Sequence, residues 1–282
     1  MKRMLSAALA VFLCIGLSAQ GTITTRKYRF SDFTDKITKV VMSGNEIMDS
    51  ALRQEIVDRW TASPFEFCTA DEFKKLKSSA DYYFLLAAEG RFKGETEPGI
   101  VFLTLLKGGS EHPDDINTLT EVISLPLCAA GTGSGREIVF LPALVRNIQD
   151  FVLRAMESEK VAYQGQGWFN ENYARKGGIK QIFLAEEDLS PKVTEKDRQK
   201  FLDEDIRLCD EDEADEAFLA GAYNTLVSYV VAPSEPVAGS RCYKMLIEAD
   251  SHRLYYIHKH KITAKTGTGF LAEDLRRMAK GR

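Results

Sequence analysis

Three segments of the chain carry residue types whose spacing could do chemistry, and the first is the glycine-rich run 131–135 (GTGSG). Backbone amides in such a loop can hold an anion, so Gly131, Gly133 and Ser134 are candidate ligand-binding residues. Nucleotide-binding loops require a Gly-Lys-Ser/Thr sequence, or a glycine where Arg136 stands, and this run has neither. A flexible turn is the alternative interpretation.

The second segment is 255–260 (YYIHKH). Side chains two residues apart in a strand lie on one face, so His258 and His260 could share a metal ion, with Asp250 as the nearest carboxylate. The alternative interpretation is a solvated strand face with Lys259 on the opposite side.

The third segment is 164–178 (QGQGWFNENYARKGG), which is polar, aromatic and rich in glycine. Its composition is typical of a boundary between two units. Trp168 and Phe169 are candidate ligand-binding residues in a cleft at that boundary.

Motifs for nucleophilic catalysis are not recognisable in the sequence. The chain has no serine elbow (G-x-S-x-G), and residue spacing indicates neither a Cys-His pair nor a carboxylate dyad. Four histidines in the whole chain also leave few candidates for a general base. The sequence therefore predicts no catalytic residue and no cofactor.

The first twenty residues have the pattern of an export signal. Lys2 and Arg3 precede the apolar run 4–17 (MLSAALAVFLCIGL), and a short Ser-Ala-Gln sequence closes it. Spanning a membrane takes about 20 apolar residues, so cleavage is favoured over anchoring. Residues 1–20 are predicted to be a signal peptide, which makes the remaining chain periplasmic or secreted.

The charge of the chain limits its partners. Cleavage removes two of the 37 basic residues and none of the 41 acidic ones, which leaves 35 against 41 and a net charge of −6. Nucleic acid is a poor partner for such a chain because phosphate binding needs a basic surface. No later apolar run reaches membrane length, so no membrane span is predicted after cleavage.

Four cysteines follow the signal: Cys68, Cys128, Cys209 and Cys242. An even number in an oxidising compartment allows three ways to form two disulfides. The alternative is that they are small apolar residues of buried strands.

Hydrophobic periodicity and capping residues predict alternating strands and helices in two regions, 39–106 and 181–262. In both regions the second strand ends in a cysteine that a capping box follows at once, at 68–72 and at 209–213. This echo predicts a duplicated α/β unit. Between residues 108 and 178 the pattern is loose, and its one clear element is a helix that opens at Leu141-Pro142.

The element order in 39–106 also resembles a known kind of module. With SALRQEIVDRW on its first helix and FEF in the following strand, it is similar to the amino-terminal domain of the periplasmic protein TolB and to related modules of secreted bacterial proteins. The resemblance covers a quarter of the chain, or half when the second region is counted. It implies a protein-binding or envelope-assembly module without catalytic residues to carry over.

The sequence thus predicts an α/β (α+β) protein of two similar units, each a mixed sheet with packed helices. The first unit is 21–165 with a helical extension, and the second is 166–282, ending in a β-hairpin and a short helix. The predicted function is a non-catalytic binding or envelope-assembly module whose partner is an envelope protein or peptide. The alternatives are a periplasmic hydrolase-type enzyme with a site between the units, and a metal-binding protein using His258 and His260.

Overall fold

The computed structural model describes residues 17–18, 30–92, 95–109, 119–131, 133–174 and 181–280. The predicted signal peptide lies outside these residues except for β1 (Leu17–Ser18), which pairs in parallel with Gly90 and Arg91. Thr132 of the glycine-rich run also lies outside them. Export therefore stays a prediction.

The first unit is a five-stranded mixed sheet with helices on both faces, to which β1 adds a short pairing. Its elements in chain order are β2 (Ile37–Val41), α1 (Glu46–Arg59), β3 (Phe65–Cys68), α2 (Ala70–Leu76), β4 (Tyr82–Arg91), β5 (Ile100–Lys107), β6 (Thr120–Ala129) and α3 (Arg136–Glu157). A connecting segment follows, formed by α4 (Glu159–Gln164), a 3-10 helix (Gly165–Phe169) and α5 (Asn170–Ala174).

The second unit repeats the same order of elements. They are β7 (Gln181–Ala185), α6 (Glu195–Phe201), β8 (Ile206–Cys209), α7 (Glu211–Leu219), β9 (Thr225–Val231), β10 (Arg241–Glu248), β11 (Leu254–Lys261) and α8 (Ala272–Lys280). Each unit is therefore a β-α-β-α-β-β-β-α arrangement.

The two sheets also have the same strand order, β3-β2-β4-β5-β6 and β8-β7-β9-β10-β11. In each sheet the first three strands of this order are parallel, and the following two are added antiparallel. Parallel neighbours need a crossover helix, which explains why helices lie on both faces of each sheet. The prediction of an α/β fold with two similar units is confirmed, and the matching strand order supports a duplication.

The cysteine-and-cap pattern marks equivalent places in the two units. Cys68 ends β3 and Cys209 ends β8, and each strand is the edge of its sheet. The side chains of Thr69 and Asp210 then cap α2 and α7, each accepting a hydrogen bond from the backbone amide three residues later. The repeated sequence feature therefore corresponds to a repeated strand-to-helix turn.

The sequence Ser-Gly-Asn-Glu at 43–46 predicts a capping box with Ser43 as the N-cap of the first helix, and the structure places the cap two residues later. Asn45, and not Ser43, is the N-cap of α1, and its side chain accepts from the amides of Ile47 and Met48. The Asp49 carboxylate accepts from the amide and hydroxyl of Ser43, both at 2.8 Å. The sequence at 43–46 therefore orders the turn before the helix.

Strand β6 lies in the region where the sequence predicts no strand. Pro126 lies within it, and a proline lacks the backbone donor that an interior strand uses. Here Pro126 pairs with Phe102 beside an irregularity in the β5–β6 register, and β6 is the edge strand of its sheet. An edge beside a bulge accommodates proline, so the expectation of a loose region was wrong at 120–129.

Helix α3 starts at Arg136, before the predicted start at Leu141-Pro142. Its N-cap is Gly135, whose φ of 95° is a left-handed conformation that glycine adopts without steric penalty. Pro142 therefore lies in the helix interior and removes one backbone hydrogen bond there. The burial of most of α3 between the two sheets offsets this cost.

One hydrophobic core joins the two units. Helices α1, α3 and α7 lie between the sheets and bury side chains such as Ile56, Phe140 and Phe218 in it. Strands β5 and β10 also meet directly, since the rings of Phe102 and Tyr243 pack edge to face at 5.4 Å. Helix α2 covers the outer face of the first sheet, and α6 and α8 cover that of the second. Among the described ranges, no helix combines the length and apolar character needed to cross a bilayer.

The connecting segment 159–174 ties together the edge strands β6 and β11. The Gln166 side chain donates to the Ser124 carbonyl of β6. Asn170 accepts from the amide of Ile257 at 2.9 Å and donates to its carbonyl at 3.1 Å, so its side chain imitates a neighbouring strand. These bonds satisfy backbone groups that edge strands otherwise leave exposed.

The four cysteines that follow the predicted signal are free and buried, without a disulfide between them. Burial raises the pKa of Cys68, Cys209 and Cys242 to about 11 and that of Cys128 to about 12. Because the thiolate is the reactive form, we expect iodoacetamide to label none of them in the folded chain at pH 8, and all four after unfolding in guanidinium without reductant. Peptide mass spectrometry locates the labels, and rapid native labelling of Cys68 or Cys209 would contradict the burial.

Candidate functional site

The glycine-rich run 131–135 connects β6 to α3 at the junction of the two units. The Glu137 carboxylate accepts from the amides of Ser134 and Gly135 at 3.1 and 2.9 Å. A Cβ atom on Gly133 would lie 1.9 Å from Glu137 Oε1, so a side chain there displaces this carboxylate. The loop therefore does hold an anion, but the anion belongs to the chain itself.

Arg136, the first residue of α3, reaches across the junction into the second unit. Its Nε and Nη2 donate to the Asp215 carboxylate at 2.8–3.0 Å. Its Nη1 lies 3.1 Å from Asp188 Oδ1 and 3.0 Å from Glu211 Oε1, and Nη2 also donates to the Ser228 carbonyl at 3.1 Å. The guanidinium is thus engaged on every nitrogen by the second unit.

The charges of this cluster do not cancel. Burial raises the pKa of Asp188, and Arg136 opposes that rise. Burial also raises the pKa of Glu211, with Arg136 opposing and Asp188 and Asp215 adding to the rise. Three carboxylates share one guanidinium, so the cluster attracts a further cation.

Aromatic and thiol side chains complete the walls around the guanidinium. Arg136 lies over the rings of Phe140 and Tyr229 at 5.3 and 5.4 Å. The Tyr229 hydroxyl donates to the Leu127 carbonyl of β6, which adds a second hydrogen-bonded link between the units. Cys128 also lines this space, and its raised pKa keeps the thiol protonated at neutral pH.

Two adjoining cavities run along the junction, and we call them together the junction groove. The first, of about 320 Å³, contains Cys128, Ser134, Arg136 and the carboxylates of Glu187, Asp188 and Glu211 in its lining. The second, of about 410 Å³, contains the carboxylates of Glu95, Glu97 and Glu235. Pro233 and Ser234 line both cavities. The described lining residues of the two cavities therefore include six acids and a single basic residue, Arg136.

The candidate ligand-binding residues of the glycine-rich run and of the segment 164–178 lie in different cavities. Ser134 lines the junction groove. Trp168 and Phe169 line a different cavity, of about 410 Å³, beside the carboxyl-terminal half of α3. The structure does not bring the two groups together in one cavity.

His258 and His260 lie on one face of β11, with Lys259 exposed between them. Arg277 donates to the His258 ring, with Nη1 at 3.0 Å from Nδ1, and His260 Nε2 lies 3.0 Å from the Gly267 carbonyl. Burial lowers the pKa of both imidazoles. No group of three or more potential metal ligands is found within the described part of the chain, so the structure does not supply the third ligand that a metal site here needs.

A second buried ion pair lies beneath α8. Lys244 Nζ is 2.5 Å from Asp274 Oδ2, and both side chains are nearly inaccessible, with relative exposures of 3% and 4%. The Tyr256 hydroxyl donates to Asp274 Oδ1 at 2.5 Å, and the Leu271 amide donates to Oδ2 at 2.8 Å. Burial alone would raise the pKa of Asp274, but Lys244 and these donors bring it below its usual value.

Sequence reasoning missed the residues at the centre of the junction. The many acids of the stretch 203–216 predict a solvated face, whereas Asp215 points inward and is bonded to Arg136. Asp188 stands in a turn after β7, and no motif distinguishes it. One feature of the sequence does indicate this cluster: Arg136 stands directly after a glycine-rich loop, at the start of a helix. The helix dipole disfavours a cation there, so an arginine at this position needs a nearby carboxylate.

Comparison with known proteins finds no matching family model, no matching curated protein and no matching solved structure.

Proposed function

We propose that the chain is an exported, non-catalytic binding module that holds a basic peptide segment of an envelope protein in the junction groove. The observation that carries the proposal is the lining of this groove, which includes six acidic residues and a single basic one, Arg136, among the described residues. A cleft lined by one sign of charge concentrates the field and attracts the opposite charge. In a peptide ligand, the positive side chains of lysine and arginine are the groups that this negative field attracts.

The shape of the groove supports an extended ligand. Its two cavities adjoin at Pro233 and Ser234 and together are longer than a single side-chain pocket. Glu97, Glu187 and Glu235 are exposed, so they can meet a ligand without first losing a bond within the chain. An extended peptide with basic residues can place one cation in each cavity.

The state of the polar groups favours binding over catalysis. The Arg136 nitrogens are occupied by three carboxylates, which fixes the side chain in place. Cys128 has a pKa raised to about 12, and the protonated thiol is a weak nucleophile. These groups shape and charge the groove. The predicted export signal places this binding module outside the cytosol. The resemblance to TolB implies a role in envelope assembly, and we include both in the proposal.

The test is fluorescence anisotropy with a fluorescein-labelled peptide of alternating lysine and serine. We expect it to bind at least about tenfold more tightly than the same peptide with acetylated lysines, because acetylation removes the charge. We also expect affinity to fall between about 50 and about 300 mM salt. The triple variant Glu97→Gln, Glu187→Gln, Glu235→Gln should lose about tenfold, since exposed pairs contribute roughly 0.2–1 kcal/mol each.

The matched control carries the same change in net charge outside the groove: Glu159→Gln, Glu204→Gln, Glu216→Gln. These carboxylates are exposed and line none of the cavities described above. An equal loss of affinity in the control means that the peptide binds by net charge alone and contradicts the proposal. Equal affinity for the acetylated peptide contradicts it too.

A further inference from the structure

The cavity that contains Trp168 lies at a separate place between the two units. Its walls come from α3, from the connecting segment 159–174 and from Arg253, which precedes β11. Its volume of about 410 Å³ is at the small end of the range for small-molecule sites. It shares no lining residue with the junction groove.

The walls of this cavity are held in place by the fold. Asn147 donates to the carbonyls of Ala143 and His252 and accepts from the Leu254 amide at 2.9 Å. Asn172 donates to the Leu254 carbonyl at 2.8 Å. A ligand therefore meets a preformed surface and does not have to order it, which favours binding.

Trp168 provides the flat apolar surface of the cavity. Its ring packs on Phe151 at 6.3 Å and on Phe169 at 5.1 Å, so it is fixed from one side. It remains partly exposed and lines the cavity. A fixed, partly exposed indole is suited to stacking against a ring.

The charged side chains around Trp168 are paired, with one exception. Asp150 lies 3.5 Å from Arg146, and Glu157 lies 2.9 Å from Arg154. Arg253 lines the cavity, is exposed, and forms no hydrogen bond or ion pair through its side chain with any described residue. The unpaired charge of the cavity is therefore positive.

We propose that this cavity binds a sugar ring that carries an acid group. The ring stacks on Trp168, its hydroxyls bond to the polar rim at Asp150, Glu157 and Asn172, and its acid group pairs with Arg253. The alternation of carboxylate, amide and guanidinium groups around one indole matches a ligand with many hydroxyls. A purely aromatic acid would leave that rim without partners.

The test is isothermal titration calorimetry of the full chain with glucuronic acid, glucose and benzoate. A ligand of this size is expected to bind with a Kd of about 1 mM. We expect glucuronic acid to bind about tenfold more tightly than glucose or benzoate, because only it offers both a stacking ring with hydroxyls and a carboxylate. Equal affinity for glucose or for benzoate overturns the assignment, as does the absence of binding by all three.

Variants separate the two parts of the recognition. Arg253→Gln should reduce glucuronic acid affinity about tenfold and leave glucose affinity unchanged, whereas Arg276→Gln, an exposed arginine on α8, should change neither. Trp168→Phe should weaken both sugars. An unchanged affinity for glucuronic acid in Arg253→Gln overturns the proposal. The triple glutamine variant of the junction groove should bind glucuronic acid normally, so this site and the peptide site fail or succeed independently.

Discussion

Replacing Arg136 with methionine is expected to lower the free energy of unfolding at pH 7 by about 3–5 kcal/mol, measured by urea denaturation. The substitution leaves Asp188 buried at 3% exposure without its cation and Asp215 without its paired donors. Breaking a buried ion pair from one side costs this much because an uncompensated charge stays in the interior. The two units should also separate more easily, since these contacts cross the junction.

The deficit of Arg136→Met should shrink in acid. Burial raises the pKa of Asp188 in the folded chain, and the loss of Arg136 raises it further. Asp188 then binds its proton more tightly in the folded variant than in the unfolded chain. Its contribution to stability is therefore fully present below the unfolded pKa of about 3.9 and is lost as the pH rises through the folded pKa. The difference between variant and unaltered chain is therefore smaller near pH 4 than at pH 7.

Arg146→Met is the matched control for this variant. Arg146 lies on the same helix and faces Asp150 at 3.5 Å, but its side chain is 41% exposed. An exposed pair of this kind contributes at most about 1 kcal/mol. If both variants lose the same stability, the Arg136 cluster does not hold the units together.

Replacing Lys244 with methionine is the second large expected effect, again about 3–5 kcal/mol at pH 7. The change leaves the Asp274 charge, in a side chain that is 4% exposed, with hydrogen bonds from Tyr256 and Leu271 but no cation. Because Asp274 belongs to α8, we expect this helix to detach first. Hydrogen exchange should show early loss of protection in 272–280.

The stability that the Lys244–Asp274 pair contributes decreases in acid. The pKa of Asp274 is lowered in the folded chain, so its contribution is fully present above the unfolded pKa of about 3.9 and is lost as the pH falls through the folded value. Lys244→Met removes that contribution, and the gap to the unaltered chain narrows below about pH 4. Lys261→Met, an exposed lysine on β11, should change stability by less than about 0.5 kcal/mol. A Lys244→Met variant that is equally stable at pH 7 would show that the pair contributes no net stability.

Much of the fold could be predicted because it is encoded locally. Periodicity places the parallel strands and their crossover helices, and the turns after Cys68 and Cys209 are capped by neighbouring side chains. Strand β6 was not predicted, because Pro126 argues against a strand in the sequence. The structure accommodates this proline because β6 is an edge strand with a register irregularity beside Pro126. That tolerance depends on β5 and is not visible in the sequence of β6.

The junction could not be predicted, because its partners are distant in the chain. Asp188 and Asp215 lie 52 and 79 residues from Arg136 and meet it only when the second unit packs on α3. The glycine-rich run lies at this junction, and the Glu137 carboxylate accepts from its amides at Ser134 and Gly135. That loop and Trp168, two separate candidates in the sequence, lie along different parts of the same long helix and line different cavities.

The two units do not meet through equivalent faces. The first presents the side that carries α1 and α3, whereas the second presents the side of α7, the counterpart of α2. Such head-to-tail contacts leave a complementary face at each end and can extend into an open filament. Here the outward surfaces of α2 and α8 carry charged side chains, including Asp71, Lys74, Glu273 and Arg276. Charged outer surfaces of this kind are typical of the terminal repeats of solenoid proteins.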